Sequence, residues 1–263
     1  MSGEALVADG AEALARAAVE SPYEASIRAA IGAVDVEKVL AEFREQNEFI
    51  FIPRFLPDEM VAAMQAEYRG FSAREIHRVY VPFFRKAGTI SHNAIAARAP
   101  LTHALYRSPA MLAFASLLAN RTLELKNDVD AHAAALYVYQ RRGDHVGFHY
   151  DDCGCEGTAS YTATFGVINR TTSKVDVQLY RKHPVQPMRE LQVSMTEGSL
   201  VFFCGAKAHH RVTPLGDDEE RVTYSFAYVS EGKRLGGFRR FQENIKDAVL
   251  YFGPKAIFQK NYK

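Results

Sequence analysis

From about Ala133 to Val229 the sequence breaks into short segments rich in Tyr, Val, Phe and Thr, punctuated by Gly, Asp and Pro. Segments of this kind are too short and too β-branched or aromatic for helices, and they predict strands. They run Ala134–Gln140, His145–Tyr150, Ser160–Ile168, Val175–Tyr180, Glu190–Val193, Ser199–Phe203, His209–Thr213 and Arg221–Val229. About eight strands at such spacing, without intervening helical patterns, exclude a parallel α/β sheet and imply a sandwich, jelly roll or barrel.

The first half has a different period. Apolar residues recur at three and four positions through Ala5–Val19, Val34–Phe43 and Met60–Tyr68, and again through Leu101–Leu118 with a break at Ser108-Pro109; this spacing predicts half-buried helices. Phe49–Ile52 reads as a lone strand, followed by Pro57-Asp58-Glu59 as a helix start. A last helical pattern covers Phe238–Phe252, stopped by Gly253-Pro254. With no repeat or linker to divide it, the chain is expected to be one domain over residues 1–263. A mainly helical part (1–130) precedes a β core (133–230) and a C-terminal helix (237–253).

Charge excludes some partners. The formal net charge is +1 and the signs are interleaved, so no basic face offers itself to nucleic acid or an anionic membrane. No stretch is apolar and long enough to span a bilayer, and the N-terminus is acidic where a signal peptide would be basic. Three cysteines do not make a disulfide framework. A cytoplasmic protein with a small-molecule substrate is the expectation, its oligomeric state open.

Chemistry concentrates in GFHYDDCGC, Gly147–Cys155. Residues two apart on a strand share a face, so His149 and Asp151 present an imidazole and a carboxylate together. A third ligand is offered by His209 or His210, at the start of a later strand. Two imidazoles and one carboxylate on one side of a metal leave three positions open, the facial triad of non-haem Fe(II) oxygenases.

The order Tyr139, Gly143, His149-Tyr150-Asp151, Gly198–Phe203, His210–Pro214 and Arg221-Val222-Thr223 resembles the double-stranded β-helix core, jelly-roll or cupin-like, of the Fe(II)- and 2-oxoglutarate-dependent oxygenases over about residues 133–230. The resemblance implies a mostly β fold with helical additions, the cofactors Fe(II), 2-oxoglutarate and O2, and metal ligands His149, Asp151 and His210. The register of His210-Arg211-Val212-Thr213-Pro214 favours His210 over His209. It further implies that Arg221 grips the distal carboxylate of 2-oxoglutarate with its planar fork, aided by Thr223 and Tyr139.

The segments GDHVGFHYD, KAGTIS, LYRSPAM and DAVLYFG are similar to those of the free-amino-acid halogenases of the lysine chlorinase type and their hydroxylase relatives. Halogenases of that group have a small residue in place of the triad carboxylate, whereas Asp151 is retained here; hydroxylation is implied. Asp152 is a candidate for a substrate ammonium, and Arg78 or Arg85 for a substrate carboxylate. Cys153 and Cys155 read as thiols at the rim of the site and Cys204 as buried. Two other readings stand beside this one: a prolyl-hydroxylase-like enzyme acting on protein or peptide, and a non-catalytic metal-binding protein of the same fold.

Overall fold

The structure, a computed structural model, describes residues 22–126, 133–151 and 158–230. Their elements run α1 (Glu24–Gly32), α2 (Val36–Glu45), β1 (Phe49–Ile52), α3 (Asp58–Arg69), β2 (His77–Val81), β3 (Arg85–Ile90), α4 (His92–Arg98), α5 (Pro100–Arg107), α6 (Pro109–Ala119) and β4 (Leu123–Leu125). After these come β5 (Ala134–Tyr139), β6 (His145–His149), β7 (Ser160–Arg170), β8 (Val175–Leu179), β9 (Arg189–Val193), β10 (Leu200–Cys204), β11 (His209–Val212) and β12 (Glu220–Ser230). The eight segments expected from sequence in the second half are β5 to β12, displaced by at most two residues at any end. The patterns at Ala5–Val19 and Phe238–Phe252 lie outside the described residues, as does the expected C-terminal helix 237–253.

All strand pairs are antiparallel, in the order β1-β10-β7-β12-β5-β3-β6-β11-β8-β9, with β2 added to β3 and β4 to β12. Strand β3 joins the two halves, pairing with β5 through Gly88–Ile90 and with β6 through Arg85 and Lys86. The sheet then curls until its ends meet: Phe49, Val201 and Phe203 from one end pack against Val175, Val177, Leu179 and Val193 from the other. This nearly closed antiparallel sheet is the double-stranded β-helix, and its inner face forms a chamber.

Strict alternation decides what lines that chamber. Along β12, Val222, Tyr224, Phe226 and Tyr228 join the large core under the helices, leaving Arg221, Thr223, Ser225 and Ala227 on the opposite face. Strand β7 divides likewise, with Tyr161, Ala163 and Phe165 in the helix-side core and Thr162 and Thr164 opposite. Each fully buried aromatic such as Phe165 or Phe226 contributes roughly 1.5–3 kcal/mol, so the helical layer holds the outer face of the sheet.

The helices are placed by specific ends. Asp35 accepts from Lys38 N at the start of α2, and Ser108 accepts from Met111 N at 3.1 Å to open α6 with Pro109 in its first turn. Buried Glu24 on α1 accepts from the Ser108 hydroxyl (2.6 Å) and from Ala110 N (3.1 Å), tying α1 to the same helix end. The expected break at Ser108-Pro109 is thus a cap, and Leu101–Leu118 becomes two helices.

Candidate active site

His149 closes β6, and a β-bulge aims it. His210 on β11 pairs with His149, but Val212 pairs with Val146, so three steps on β6 oppose two on β11. Val146 packs with Ala87, Tyr139 and Leu215, yet His149, an odd number of residues later, reaches the same chamber. The slack falls at Gly147, whose amide donates to Phe84 O at 2.6 Å and where a Cβ would sit 3.1 Å from Phe83 O. A side chain there would press on the hairpin backbone, which would have to give by a few tenths of an ångström.

Three ligand atoms, one each from His149, Asp151 and His210, lie within 4.8 Å of one another. Gly147 O accepts from His149 Nδ1 at 2.9 Å and Ala208 O from His210 Nδ1 at 3.2 Å. A carbonyl only accepts, so each Nδ1 carries the proton and each Nε2 presents its lone pair. Asp151 Oδ1 stands 3.3 Å from His149 Nε2, a contact satisfied by a proton on Nε2 or by a metal cation that takes the place of that proton.

Protonation couples the three side chains, and a metal would displace the proton that Asp151 draws to His149. Burial pulls the His149 imidazole down, but the hydrogen bond and charge of Asp151 outweigh it and hold its pKa above the ordinary value. Burial, then repulsion from His149, brings His210 down to about 4. For Asp151 burial opposes ionisation, but His210, His149 and the Thr162 hydroxyl overcome it and keep the carboxyl far below its usual range. The donor set, two neutral imidazoles and one carboxylate, fits Fe(II).

His209 points to the other face of β11, where it stacks on Phe148 at 4.8 Å and meets Gln178 Oε1 at 2.7 Å. The rings of Phe84 and Phe203 stand edge-on to His149 and His210, so apolar edges border the three ligands.

Arg221 is buried on the inner face of β12, with Tyr139 as its cross-strand partner. Its Nη2 meets Met195 Sδ at 3.3 Å, whereas Nε and Nη1 have no hydrogen-bond partner among the described residues. Leaving two N–H groups of a buried guanidinium unpaired is costly, so this cradle fits the carboxylate of a ligand. Thr223 lies two residues on, buried on the same face. Burial raises the Tyr139 hydroxyl pKa, while the charges of Arg85 and Arg221 oppose the rise.

The two candidate arginines of the hairpin separate. Arg78 Nη2 donates to both oxygens of Asp144, at 2.5 and 2.7 Å; this fully buried carboxylate also accepts from Gln140 N and Arg141 N. Arg78 therefore fastens the turn before β6. Arg85 is buried on the inner face of β3, its Nη2 donating to Thr89 Oγ1 at 2.6 Å and its guanidinium 5.1 Å from the Tyr137 ring centre. Asp152, Cys153 and Cys155 lie outside the described residues; Cys204 is buried in β10. Sequence reasoning passed over Asp144, Gly205 and Thr162. No local signal marks the first two, but Thr162 belongs to an alternating strand with hydroxyls on its inner side.

A family profile described as "HalD: Halogenase D" matches residues 32–155, which include His149 and Asp151 but not His210 or Arg221. No curated protein sequence matches the chain. Among solved structures, the α-ketoglutarate-dependent epimerase SnoN from nogalamycin biosynthesis aligns with TM-score 0.60 and 17% identity, covering 74% of this chain and 82% of that one. The carbocyclase SnoK aligns with TM-score 0.60 and 15% identity over 80% and 92%. A prolyl-4-hydroxylase from Phytophthora capsici aligns with TM-score 0.57 and 16% identity over 84% and 75%. No helix among the described residues is long and apolar enough to cross a membrane. Sheet order, the converging His149, Asp151 and His210, and these likenesses together give the chain the fold of the 2-oxoglutarate- and Fe(II)-dependent oxygenases.

Proposed function

We propose that the chain is an Fe(II)- and 2-oxoglutarate-dependent dioxygenase that hydroxylates an unactivated C–H bond of a small molecule, a free amino acid or a related metabolite, in the cytoplasm. The observation that carries this reading is the buried Arg221 guanidinium, with two nitrogens unpartnered among the described residues, on the same inner face as three converging metal-ligand side chains.

Bound there, Fe(II) and 2-oxoglutarate supply the activation of O2 and the oxidation of the substrate. His149, Asp151 and His210 hold the ion, the imidazoles kept in the ligating tautomer by Gly147 O and Ala208 O. Arg221 takes the distal carboxylate of 2-oxoglutarate through a bidentate charge-assisted pair, with Tyr139 and Thr223 beside it. Phe84 and Phe203 set apolar rings against His149 and His210. Arg85, buried on the inner face beside Thr89 and Tyr137, is assigned to the carboxylate of an amino acid, and Arg78 to holding Asp144. Asp152, next in sequence to the triad carboxylate, is assigned to the substrate ammonium. Retention of Asp151 favours hydroxylation over halogenation, because the carboxylate takes the position a halide would need; this sets the chain apart within the lysine chlorinase group it resembles.

A second reading, a peptide hydroxylase, is favoured by the hairpin of β2 and β3. Tyr80 and Phe83 stand exposed at its tip, next to the strand that carries His149. Succinate release from 2-oxoglutarate with Fe(II), measured against free amino acids and proline-containing peptides, tests both. Stimulation by amino acids alone supports the first reading, and stimulation by peptides alone replaces it with the second. No succinate with any partner removes the enzyme reading.

A further inference from the structure

The triad carboxylate has two oxygens, and they face different partners. Oδ1 of Asp151 looks toward His149 Nε2, while Oδ2 accepts a hydrogen bond from the Thr162 hydroxyl at 2.9 Å. A carboxylate is an acceptor only, so the hydroxyl proton lies on this bond and cannot be withdrawn without leaving Oδ2 bare.

Neither residue is free to drift. Thr162 sits inside β7, paired on one side with Phe203 of β10 and on the other with Ala227 of β12. Its β-branched side chain has restricted rotamers. Behind Asp151 the chain presses on Gly205, where a Cβ would lie 2.3 Å from Asp151 O. Gly205 is itself held by its amide, which donates to Ser160 O at 2.8 Å. Backbone and carboxylate are thus fixed from two sides.

We propose that Thr162 is a positioning residue that commits one oxygen of Asp151 to the protein and leaves a single oxygen for the metal. The inference rests on the oxygenase reading and deepens it. A carboxylate free to turn offers both oxygens to a divalent cation and fills one coordination position more. That position is one of the three a facial triad leaves open, and a ligand that chelates through two atoms competes for it. Thr162 therefore guards the room in which 2-oxoglutarate binds, without touching it.

The test compares Thr162→Val, which keeps the shape and loses the hydroxyl, with Thr162→Ser, which keeps the hydroxyl. Each protein is loaded anaerobically with Fe(II) and titrated with 2-oxoglutarate, following the visible charge-transfer absorption of the chelate; Fe(II) affinity and thermal unfolding are measured alongside. The valine variant is expected to fold and to bind Fe(II) within about three-fold of the parent. It should need about ten-fold or more 2-oxoglutarate to develop the band, and serine should restore the parent titration. A valine variant with the parent's titration overturns the inference alone. So does a valine variant that loses Fe(II) affinity but, once loaded, takes 2-oxoglutarate normally. Absence of the band from the parent protein overturns the oxygenase reading, and this inference with it.

Discussion

Arg221 and Tyr139 are direct cross-strand partners on β12 and β5, the guanidinium carbon 5.8 Å from the ring centre. The ring covers one side of a cation whose Nε and Nη1 lack acceptors among the described residues. Arg221→Met should raise the KM for 2-oxoglutarate by about one to three orders of magnitude, since a charge-assisted pair is worth roughly 2–4 kcal/mol. The same variant should unfold at an unchanged or higher temperature, because an unpaired buried charge has been replaced by an apolar side chain. A large loss of thermal stability with unaltered 2-oxoglutarate kinetics would move Arg221 out of the site and into the core.

The adjacent histidines of β11 should behave oppositely. His210 faces His149 across the strand pair, whereas His209 stacks on Phe148 on the other side of the sheet. Iron titration should give one Fe(II) per chain for the parent and for His209→Ala, and none for His149→Ala or His210→Ala. Iron binding that survives His210→Ala and fails in His209→Ala would show the strand one residue out of register.

Asp144 is wholly buried and held by Arg78, so removing Arg78 leaves a buried carboxylate with only the Gln140 and Arg141 amides to compensate it. Arg78→Ala should lower stability to urea by about 3 kcal/mol while the folded fraction keeps the parent's KM for both substrates. Arg85→Gln should raise KM for the amino-acid substrate. If Arg78→Ala leaves stability untouched and raises that KM instead, the two arginines have exchanged roles.

Glu219 joins two turns, accepting from Thr171 Oγ1, Thr172 N, Thr172 Oγ1 and Gly216 N, all at 2.7 Å. Burial raises its pKa, but these donors outweigh burial and bring it down to about 2 from 4.5. A carboxyl depressed in the folded state contributes stability that is complete above its unfolded pKa and disappears as pH falls toward the folded one. Because the group is partly exposed, about 1–2 kcal/mol is expected at neutral pH. The urea midpoint of Glu219→Gln should lie below the parent's at neutral pH, and the gap should shrink as pH falls through about 4. A gap independent of pH would show that the ionised carboxylate contributes nothing.

The β core was legible in the sequence because its strands are short runs rich in Tyr, Val, Phe and Thr bounded by Gly, Asp and Pro, a composition that suits strands buried on both faces such as Leu200–Cys204. The hairpin of β2 and β3 was not. Its turn puts Phe83 at φ 63°, a left-handed conformation that glycine or asparagine usually signals, so in Val81-Pro82-Phe83-Phe84 only Pro82 marks it. The bulge at Gly147 was also silent, because a strict period of two assigns Val146 and His149 to opposite faces. The choice between Arg78 and Arg85 depends on Asp144, 66 residues from Arg78, and no local pattern carries a pairing across that distance.

The division of β12 into two faces has a consequence for how this chain can change. Tyr224, Phe226 and Tyr228 anchor the helical layer, and truncating any of them should cost about 3–5 kcal/mol. Ser225 and Ala227 look the other way, beside Thr164 and Thr162 of β7, where a larger side chain is expected to change the inner face of the sheet while leaving those anchors in place. Alternate residues of one strand are therefore expected to carry different traits, the packing of the helical layer on Tyr224, Phe226 and Tyr228 and the shape of the inner face on Ser225 and Ala227.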